Sequence, residues 1–528
     1  MNSYPSFQNL PSDKTFHALY ARTMKADTMR LEDPIRGRLT FLVINGLIVG
    51  VSSAASLVVE IVAGRMLAPY VGMSLYSWTA VIATVLAGLS LGNFIGGFAF
   101  TTQDTKHNSR FMALMLTIAA LSTAAAPWLL QKIAPALTSD TRPILSMLTL
   151  CLLVFMPPSL CLGAVSPVAT AMAQEQSPDK GKILGFFFAL GAIGSILGTL
   201  LSGFLFLAYL GSHATLAIIA CVNMVLGGIC LCMAVQKTQR FVIIAIASIM
   251  AVIFSLWPLY GVANPCQRES AYYCIRVEQY SDNVRIMVLD HLVHGFNHQT
   301  NPQYFNAPYV GLMDYLARTK IKEEKRAFFI GGGAFTLPRA WSARAPNMEM
   351  IIAEIDPVVT EIAQQELWYR PTPLTEIHHG DARSVLRQNK KPFDVIVGDA
   401  FHDLSVPQHL TTYEFGQLVR KNLQTDGLYL LNVIDHVQQP KLMLSVWQTL
   451  RQQFQNVAIF MKEDDLKSWD RTTFVVAASE TFTPQNGYVV SGNRFIRLPH
   501  GYLEAKSEVF VPLTLTDDYS PVDRLLFF

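Results

Sequence analysis

The sequence predicts two parts of different fold class, a multi-pass α-helical membrane domain followed by a doubly wound α/β domain. Long apolar runs follow one another through the first half, and only 15% of the residues are charged, against about 25% in typical soluble domains. In the second half, short strands alternate with helices, and three consecutive glycines follow one of the strands. These observations separate a membrane part from a soluble part.

Composition divides the chain into a basic tail at residues 1–38, a transmembrane domain at residues 39–262 and a soluble domain at residues 263–528. The tail lacks the apolar segment and small-residue cleavage site of a signal peptide, so we expect it to be disordered and cytoplasmic. The net charge of +2 gives no basic excess, and no nucleic-acid partner is expected.

A helix needs about 20 apolar residues to cross the hydrocarbon core of a bilayer. Seven runs come close to or exceed that length: Thr40–Ala63, Ser77–Phe100, Phe111–Leu130, Ile144–Ala173, Ile183–Tyr209, Ala214–Val235 and Phe241–Tyr260. One buried soluble helix can mimic such a run, whereas seven in succession cannot. We therefore expect a multi-pass protein of the cell (inner) membrane, with the lipid bilayer as a partner.

Lysine and arginine predict the orientation, because they are enriched in cytoplasmic loops. The tail and every second loop hold twelve of them, whereas the opposite side holds Arg65, Lys132 and Arg142. The N-terminus is therefore expected in the cytoplasm, and seven crossings place the soluble domain outside. If the number of crossings is miscounted, the error would lie in the proline-containing run Ile144–Ala173. With one crossing fewer, the soluble domain would lie in the cytoplasm.

Two cysteines, Cys266 and Cys274, flank the start of the soluble domain. They would suit a disulfide in an oxidising compartment, but two unrelated thiols explain the pair equally well. In the first span, Glu60 is costly in lipid and indicates a function or a nearby partner such as Arg65; a structural salt link and a transport role both remain open.

Small residues recur at helical spacing in two of the apolar runs and allow close helix–helix packing. They are Gly88, Gly92, Gly96 and Gly97 in the second run, and Gly191, Ser195 and Gly198 in the fifth.

The soluble half begins with a small β-hairpin region and continues as alternating strands and helices. The predicted strands are Ile275–Tyr280 and Arg285–Leu289 in the hairpin, then Arg326–Ile330, Glu349–Glu354, Glu376–His378 and Phe393–Val397. Helices are predicted at Asn306–Arg318, from Pro357, and near Ala382–Arg387. This alternation favours a parallel, doubly wound sheet.

A ligand site is predicted where Gly331, Gly332 and Gly333 follow a strand, because glycines allow close approach of the backbone to a ligand. Glu354 ends the next strand, where dinucleotide-type folds place an acid against ribose hydroxyls. Asp356 is expected to begin the following helix.

Two further acids follow strands at the edge where open sheets bind ligands. Asp381, with Ala382 beside it, is placed either to accept from the amino group of a base or to cap a helix, and both interpretations remain open. Asp399 follows the fourth strand. The glycine loop, Glu354, Asp381 and Asp399 thus follow four strands in order. This order argues against helix capping as the role of every acid in the set.

The stretch from about Tyr272 to Asp523 resembles spermidine synthases and the wider class of S-adenosyl ligand-binding folds. The matching segments are Gly331–Gly333, Glu354–Asp356, Gly380–Ala382, Phe393–Asp399 and Leu515–Val522. The region Glu60–Trp78 resembles bacterial proteins in which a spermidine synthase is fused to a transporter-like membrane segment.

The resemblance implies a Rossmann-like fold of the spermidine synthase and methyltransferase type. It also implies S-adenosylmethionine or decarboxylated S-adenosylmethionine as a co-substrate, bound by Gly331–Gly333, Glu354, Asp381 and Ala382. Asp399 matches the family's catalytic acid and would take the proton of an attacking amine, with Tyr309 close to that amine. The implied reaction moves an aminopropyl or methyl group to an amine or another small acceptor.

The sequence departs from the family where the amine should bind. Ala334 replaces the aspartate that follows the triple glycine. Asp290 and His294 occupy a changed strand motif, and His402 stands at the position of the family's second acid, with Asp403 one residue later. We expect these polar side chains to line the substrate pocket.

A metal site is not expected, because His291, His294, His298 and His402 have no fixed helical spacing. The departures keep an alternative open: a transporter or sensor whose α/β domain binds a nucleoside or polyamine-type ligand without turnover. A homo-oligomer also remains open.

Overall fold

The structure, a computed structural model, describes residues 13–138, 143–260, 262–401 and 406–527. The chain forms two compact units. The first comprises Met1–Ala63, Val81–Leu130 and Thr149–Val262, and the second comprises Gly64–Ala80, Gln131–Leu148 and Ala263–Phe528.

In the described part of the first half of the chain, all regular secondary structure is helical. Its helices are α1 (Asp13–Val71), α2 (Leu75–Ala99), α3 (Thr105–Thr138), α4 (Pro143–Glu175), α5 (Lys180–Leu201), α6 (Leu207–Tyr209), α7 (Gly211–Ala234) and α8 (Lys237–Tyr260), with a π-helical turn at Ser202–Phe206. Helix α1 begins at Asp13, so the predicted disordered tail is wrong for residues 13–38. The stretch from Asp13 to Asp33 contains neither proline nor glycine, the residues that most oppose a helix.

Six of the seven predicted runs are helices long and apolar enough to cross a membrane within the described residues. These six are Gly37–Val71, Leu75–Ala99, Thr105–Leu137, Ile144–Glu175, Lys180–Tyr209 and Gly211–Ala234. The seventh run lies in α8, and the part of it that could be compared with the other six, Thr238–Ile253, is shorter than 18 residues within the described part of the chain. The seventh crossing therefore stays a prediction.

Small residues bring helix backbones into direct contact, at Gly92 as predicted and also at Gly194, which the predicted set did not include. A Cβ added at Gly194 of α5 would lie 2.0 Å from the carbonyl oxygen of Gly50 in α1. A Cβ at Gly92 of α2 would lie 2.1 Å from the carbonyl oxygen of Leu160 in α4. Gly97, by contrast, faces open space. The α1–α5 and α2–α4 contacts thus leave no room for a side chain at these glycines.

The second unit contains two sheets. Their strands are β1 (Arg268–Glu269), β2 (Cys274–Ser281), β3 (Val284–Leu289), β4 (Leu292–His298), β5 (Arg326–Ile330), β6 (Glu349–Glu354), β7 (Thr375–His379), β8 (Phe393–Gly398), β9 (Leu423–His436), β10 (Asn456–Lys462), β11 (Arg471–Ser479), β12 (Gly487–Val490) and β13 (Asn493–Arg497). The small sheet has the order β1-β2-β3-β4 and is antiparallel. It contains the predicted hairpin, β2–β3.

The large sheet has the order β12-β13-β10-β11-β9-β8-β5-β6-β7. The strands from β9 to β7 in this order are parallel, as predicted, whereas β10, β11, β12 and β13 pair antiparallel. The strand order reverses between β5 and β8. The loops that follow these two strands therefore diverge and open a crevice at their carboxyl ends.

Helices cover both faces of the large sheet, which is the doubly wound arrangement. They are α9 (Pro308–Ala317), α10 (Thr336–Arg344), α11 (Pro357–Glu366), α12 (Ala382–Gln388), α13 (Tyr413–Lys421), α14 (Lys441–Leu450), α15 (His500–Val509) and α16 (Val522–Phe527). One apolar core contains Trp341 of α10, and the other contains Trp447 of α14. The two cores fix the sheet between its helix layers and hold its carboxyl edge in place.

Gly194→Ala is expected to lower the stability of the full chain by roughly 1–3 kcal/mol, because the added methyl group overlaps the backbone of α1. Gly185→Ala is the matched control in the same helix, since its Cβ would meet open space. The measurement is the Tm of the detergent-purified protein. An equal effect of both substitutions would contradict the described packing.

Candidate ligand-binding and catalytic site

A cavity of about 540 Å³ lies at the carboxyl edge of β5, β6 and β8, where the crevice opens. It brings together most of the site residues predicted from the sequence. Those that line it are Gly331, Gly332, Gly333, Ala334, Glu354, Asp381, Ala382, Asp399, Tyr309 and His294.

The glycine loop turns sharply after β5. Gly331 has φ +90° and Gly333 has φ +50°, both in the left-handed region that favours glycine. A Cβ at Gly331 would lie 3.0 Å from the carbonyl oxygen of Asp399, so the loop lies directly against the end of β8. This contact leaves no room for a side chain at Gly331.

Glu354 is buried at the end of β6 and binds the glycine loop. Its Oε2 accepts from the backbone N–H groups of Gly332 (2.8 Å) and Gly333 (3.2 Å), and its Oε1 accepts from the N–H of Asp356 (2.9 Å). Burial raises the pKa of Glu354, while these N–H groups act to lower it. Glu354 therefore holds the glycine loop at the cavity, and its binding of a ribose stays a prediction.

Asp356 begins α11, as predicted. Its Oδ1 accepts from the N–H of Val358 (2.9 Å), which caps the helix. Its Oδ2 accepts from the hydroxyl of Ser270. Asp356 therefore joins the large sheet to the segment before β2.

Asp381 caps a helix at the border of the cavity, and its binding of the amino group of a base stays a prediction. Its Oδ1 accepts from the N–H of Ser384 (2.9 Å) and caps α12, and its side chain also borders the cavity. Its Oδ2 lies 2.6 Å from Nε2 of His409. Burial would raise the pKa of Asp381, but the hydrogen bonds from His409 and Ser384 outweigh it and hold that pKa below its usual value.

Asp399 is held between two hydrogen-bond donors at the end of β8. The hydroxyl of Tyr309 donates to Oδ2 (3.3 Å), and Nδ2 of Asn432 donates to Oδ1 (2.8 Å). Burial raises the pKa of Asp399 to about 6, against the opposing effect of these two hydrogen bonds. Tyr309 and Asp399 are therefore brought together as predicted.

The sequence did not indicate Asn432 or His409. Asn432 lies inside the long apolar strand β9, where one polar residue among leucines and valines carries no motif. The signal that could have marked Asn432 is a polar residue inside an apolar run. In the structure it is buried in β9, next to β8, which Asp399 follows. His409 lies in the short 3-10 helix Gln408–Leu410, and only the fold brings it to Asp381.

Part of the cavity wall is aromatic. Tyr272, Tyr273 and Phe401 line it, and the hydroxyl of Tyr273 donates to the carbonyl oxygen of Phe401 (3.3 Å). Cys266 and Cys274 form a disulfide that closes the segment carrying the two tyrosines. Of the two alternatives for this cysteine pair, the structure has the disulfide.

The predicted substrate-pocket residues differ in their placement. His294 lines the cavity, and burial, with His291 nearby, lowers its pKa to about 4, which leaves it neutral at pH 7. Asp290 lies in the β3–β4 turn with φ +54°, and its Oδ1 accepts from the N–H of Cys274 (2.9 Å). Among the described residues, Asp290 does not border the cavity. His402 and Asp403 lie outside the described residues.

Ala334 stands where the resembled family has an aspartate after the triple glycine. It is buried, and a Cβ at Gly295 of β4 would lie 2.5 Å from the Ala334 methyl group. Strand β4 thus packs on the glycine loop at this point. The loop offers no carboxylate there to a cationic ligand.

Glu354→Gln is expected to speed hydrogen–deuterium exchange at the amides of Gly332, Gly333 or Asp356, because the side-chain NH₂ group of glutamine cannot accept from them. The expected loss of stability is about 1–3 kcal/mol. Glu349→Gln at the start of the same strand is the control, since Glu349 pairs with Arg326 at 2.6 Å, away from the cavity. Unchanged exchange in Glu354→Gln would contradict the role of Glu354 in holding the loop.

Comparison with known proteins gives a family match and several relatives. Residues 308–462 match the family described as spermine/spermidine synthase domain. The polyamine aminopropyltransferase of Vibrio vulnificus is 34% identical over 111 residues, which are 20% of this chain and 37% of that protein. The N-terminal histidine N-methyltransferase of Emericella nidulans is 27% identical over 216 residues, which are 37% of this chain and 38% of that protein.

A solved structure of a probable spermidine synthase from Corynebacterium glutamicum is also similar. The similarity covers 49% of this chain and 99% of that one, with 20% identity and a TM-score of 0.43. The match to the two relatives spans little more than a third of their own length. Residues 308–462 of the chain are therefore similar to the spermine/spermidine synthase domain.

Proposed function

We propose that this protein is a membrane-bound transferase that moves an aminopropyl or methyl group from an S-adenosyl-type donor to an amine or another small acceptor. The observation that carries the proposal is the placement of Asp399, paired with Tyr309 and Asn432, in the same cavity as Glu354 and Asp381. One cavity thus offers groups for a nucleoside and a base for an amine.

The donor side of the cavity suits a nucleoside. Glu354 would accept from ribose hydroxyls, Asp381 from the adenine amino group, and the glycine loop would lie along the rest of the donor. Similarity to an aminopropyltransferase and to a methyltransferase supports this class of donor. It leaves the transferred group open between aminopropyl and methyl.

The reaction needs a neutral nitrogen next to the sulfonium carbon. Asp399 would take the proton of the acceptor ammonium and orient the freed lone pair. As the new C–N bond forms, the C–S bond breaks and its electrons neutralise the sulfonium to a thioether. This leaving group needs no proton, so positioning within the cavity supplies the remaining catalysis.

Insertion into the membrane is part of the proposal. Six helices are long enough to cross a bilayer. Large apolar side chains are also exposed on these helices, including Phe94, Phe188 and Phe204. Such surfaces are costly in water and favourable in lipid. They support burial of these helices in a bilayer.

One observation supports an outward-facing soluble unit. The disulfide between Cys266 and Cys274 would persist in an oxidising compartment. The bias of lysine and arginine toward the opposite side points the same way.

The ratio kcat/KM is expected to fall about tenfold per pH unit below pH 6, because Asp399 must be ionised to accept a proton and burial raises its pKa to about 6. Asn432→Ala should move this limb to higher pH, since the Asn432 hydrogen bond lowers the pKa of Asp399. The measurement is thioether release from S-adenosylmethionine or its decarboxylated form with a panel of amines.

Asp399→Asn should lower turnover by about 10²–10⁴-fold and leave donor affinity within roughly threefold. Asp426→Asn is the control, because Asp426 is an exposed surface partner of Lys320. Full turnover in Asp399→Asn would refute the assigned base. Donor binding without turnover in the unaltered protein would favour the transporter or sensor instead.

A reporter fused after Phe528 should be active on the outer side only. A membrane-impermeant thiol reagent should label Cys266 and Cys274 of intact cells only after reduction, because the disulfide protects both thiols until then. The free cysteines lie in the apolar helices. A variant with serine in place of both Cys266 and Cys274 therefore controls for labelling of the free cysteines. A reporter active only in the cytoplasm would overturn the outward orientation.

A further inference from the structure

Arg65 contributes two hydrogen bonds to the segment that forms one wall of the cavity. It belongs to the last turns of α1, in the part of that helix that groups with the soluble unit. Its Nη1 donates to the carbonyl oxygen of Tyr272 (2.7 Å), and its Nη2 donates to the carbonyl oxygen of Ser270 (2.6 Å). A planar guanidinium can hold two such carbonyls at once, whereas an ammonium group cannot hold them in the same fixed geometry.

Ser270 organises the segment that Arg65 holds. Its backbone N–H donates to the carbonyl oxygen of Tyr273 (2.9 Å), and its Oγ accepts from the N–H groups of Tyr272 (3.0 Å) and Tyr273 (2.9 Å). The same hydroxyl donates to Oδ2 of Asp356. With its carbonyl bound to Arg65, the buried Ser270 has all its polar groups paired.

From Asp356 the contacts continue into the ligand site. The N–H of Asp356 donates to Oε1 of Glu354 (2.9 Å), whose Oε2 accepts from the glycine loop. Burial raises the pKa of Asp356, and the Ser270 hydroxyl and the charge of Arg65 act against that rise. The charge of Arg65 therefore favours the ionised form of Asp356. In that form both carboxylate oxygens can accept, one from the Ser270 hydroxyl and one from the first turn of α11.

We infer that Arg65 is a positioning residue for the nucleoside-type ligand, acting through Ser270, Asp356 and Glu354. We call these four residues the Arg65 network. Arg65 does not touch the cavity; it fixes the carboxylate of Glu354 in the orientation that leaves lone pairs for ribose hydroxyls. The inference rests on the proposed function for the identity of the ligand.

The network also has a reciprocal consequence. If the position of Arg65 changes the affinity for ligand, then ligand must change the preferred position of Arg65 by the same free energy. Binding at the cavity and the conformation of the end of α1 are thus coupled. The proposed function by itself does not require this coupling.

The test uses the full chain in lipid nanodiscs, with 5′-methylthioadenosine and its 2′,3′-dideoxy analogue as probes. Arg65→Ala should weaken methylthioadenosine binding about tenfold, within the usual range of coupling between sites. It should leave the weaker affinity for the dideoxy analogue unchanged, because that ligand lacks the hydroxyls that Glu354 binds. Arg65→Lys should fall between Arg65→Ala and the unaltered protein.

Arg268→Ala is the matched control. Arg268 lies two residues before Ser270, but its side chain makes only a half-exposed ion pair with Glu361 at 3.4 Å. It should bind both probes like the unaltered protein. If Arg65→Ala does not fold, Ser270→Ala removes only the central hydroxyl and should reproduce the loss for methylthioadenosine alone.

A second measurement does not depend on the ligand. Without any probe, Arg65→Ala or Ser270→Ala should increase hydrogen–deuterium exchange at Gly332 and Gly333, and Arg268→Ala should not. If the unaltered protein binds neither probe, the proposed function fails, and this exchange still decides whether the network holds the loop. Unchanged exchange, unchanged affinity in Arg65→Ala, or an equal loss for both probes would overturn the inference.

Discussion

The carboxylate of Glu354 is the interaction on which the site depends. It lies at the end of β6 and takes the N–H groups of Gly332 and Gly333, which otherwise would be unpaired in a sharply turned loop. The loop in turn lies against the end of β8, next to Asp399. A change at Glu354 should therefore disturb both the glycine loop and the position of Asp399.

Much of the fold followed from local pattern. The strands Arg326–Ile330 and Glu349–Glu354 have the predicted bounds, because short apolar runs between turn residues specify buried parallel strands. The placement of Asp399 beside Tyr309 was also predictable, though only by resemblance. Asn432 and His409 were not, since each reaches its partner across the fold. The helical extension of α1 and the antiparallel strands β10–β13 were not predicted, although β10 and β11 contain short apolar runs of the same kind.

The cavity departs from the resembled family at Ala334. Ala334 packs against β4, and the neutral His294 lines the cavity near it. A cationic ligand would therefore find less negative charge there than the resemblance implies. The proposed outward orientation would add a second constraint, because S-adenosyl compounds are made in the cytoplasm and such a ligand would have to cross the membrane.

The most direct test of this account is the structure of the full chain with 5′-methylthioadenosine bound. The account predicts the nucleoside in the cavity at the β5–β8 crevice, with ribose hydroxyls within hydrogen-bond distance of Glu354. It also predicts the adenine amino group at Asp381 and the sulfur on the side of Asp399. A nucleoside bound elsewhere, or bound with its base at Asp399, would contradict it.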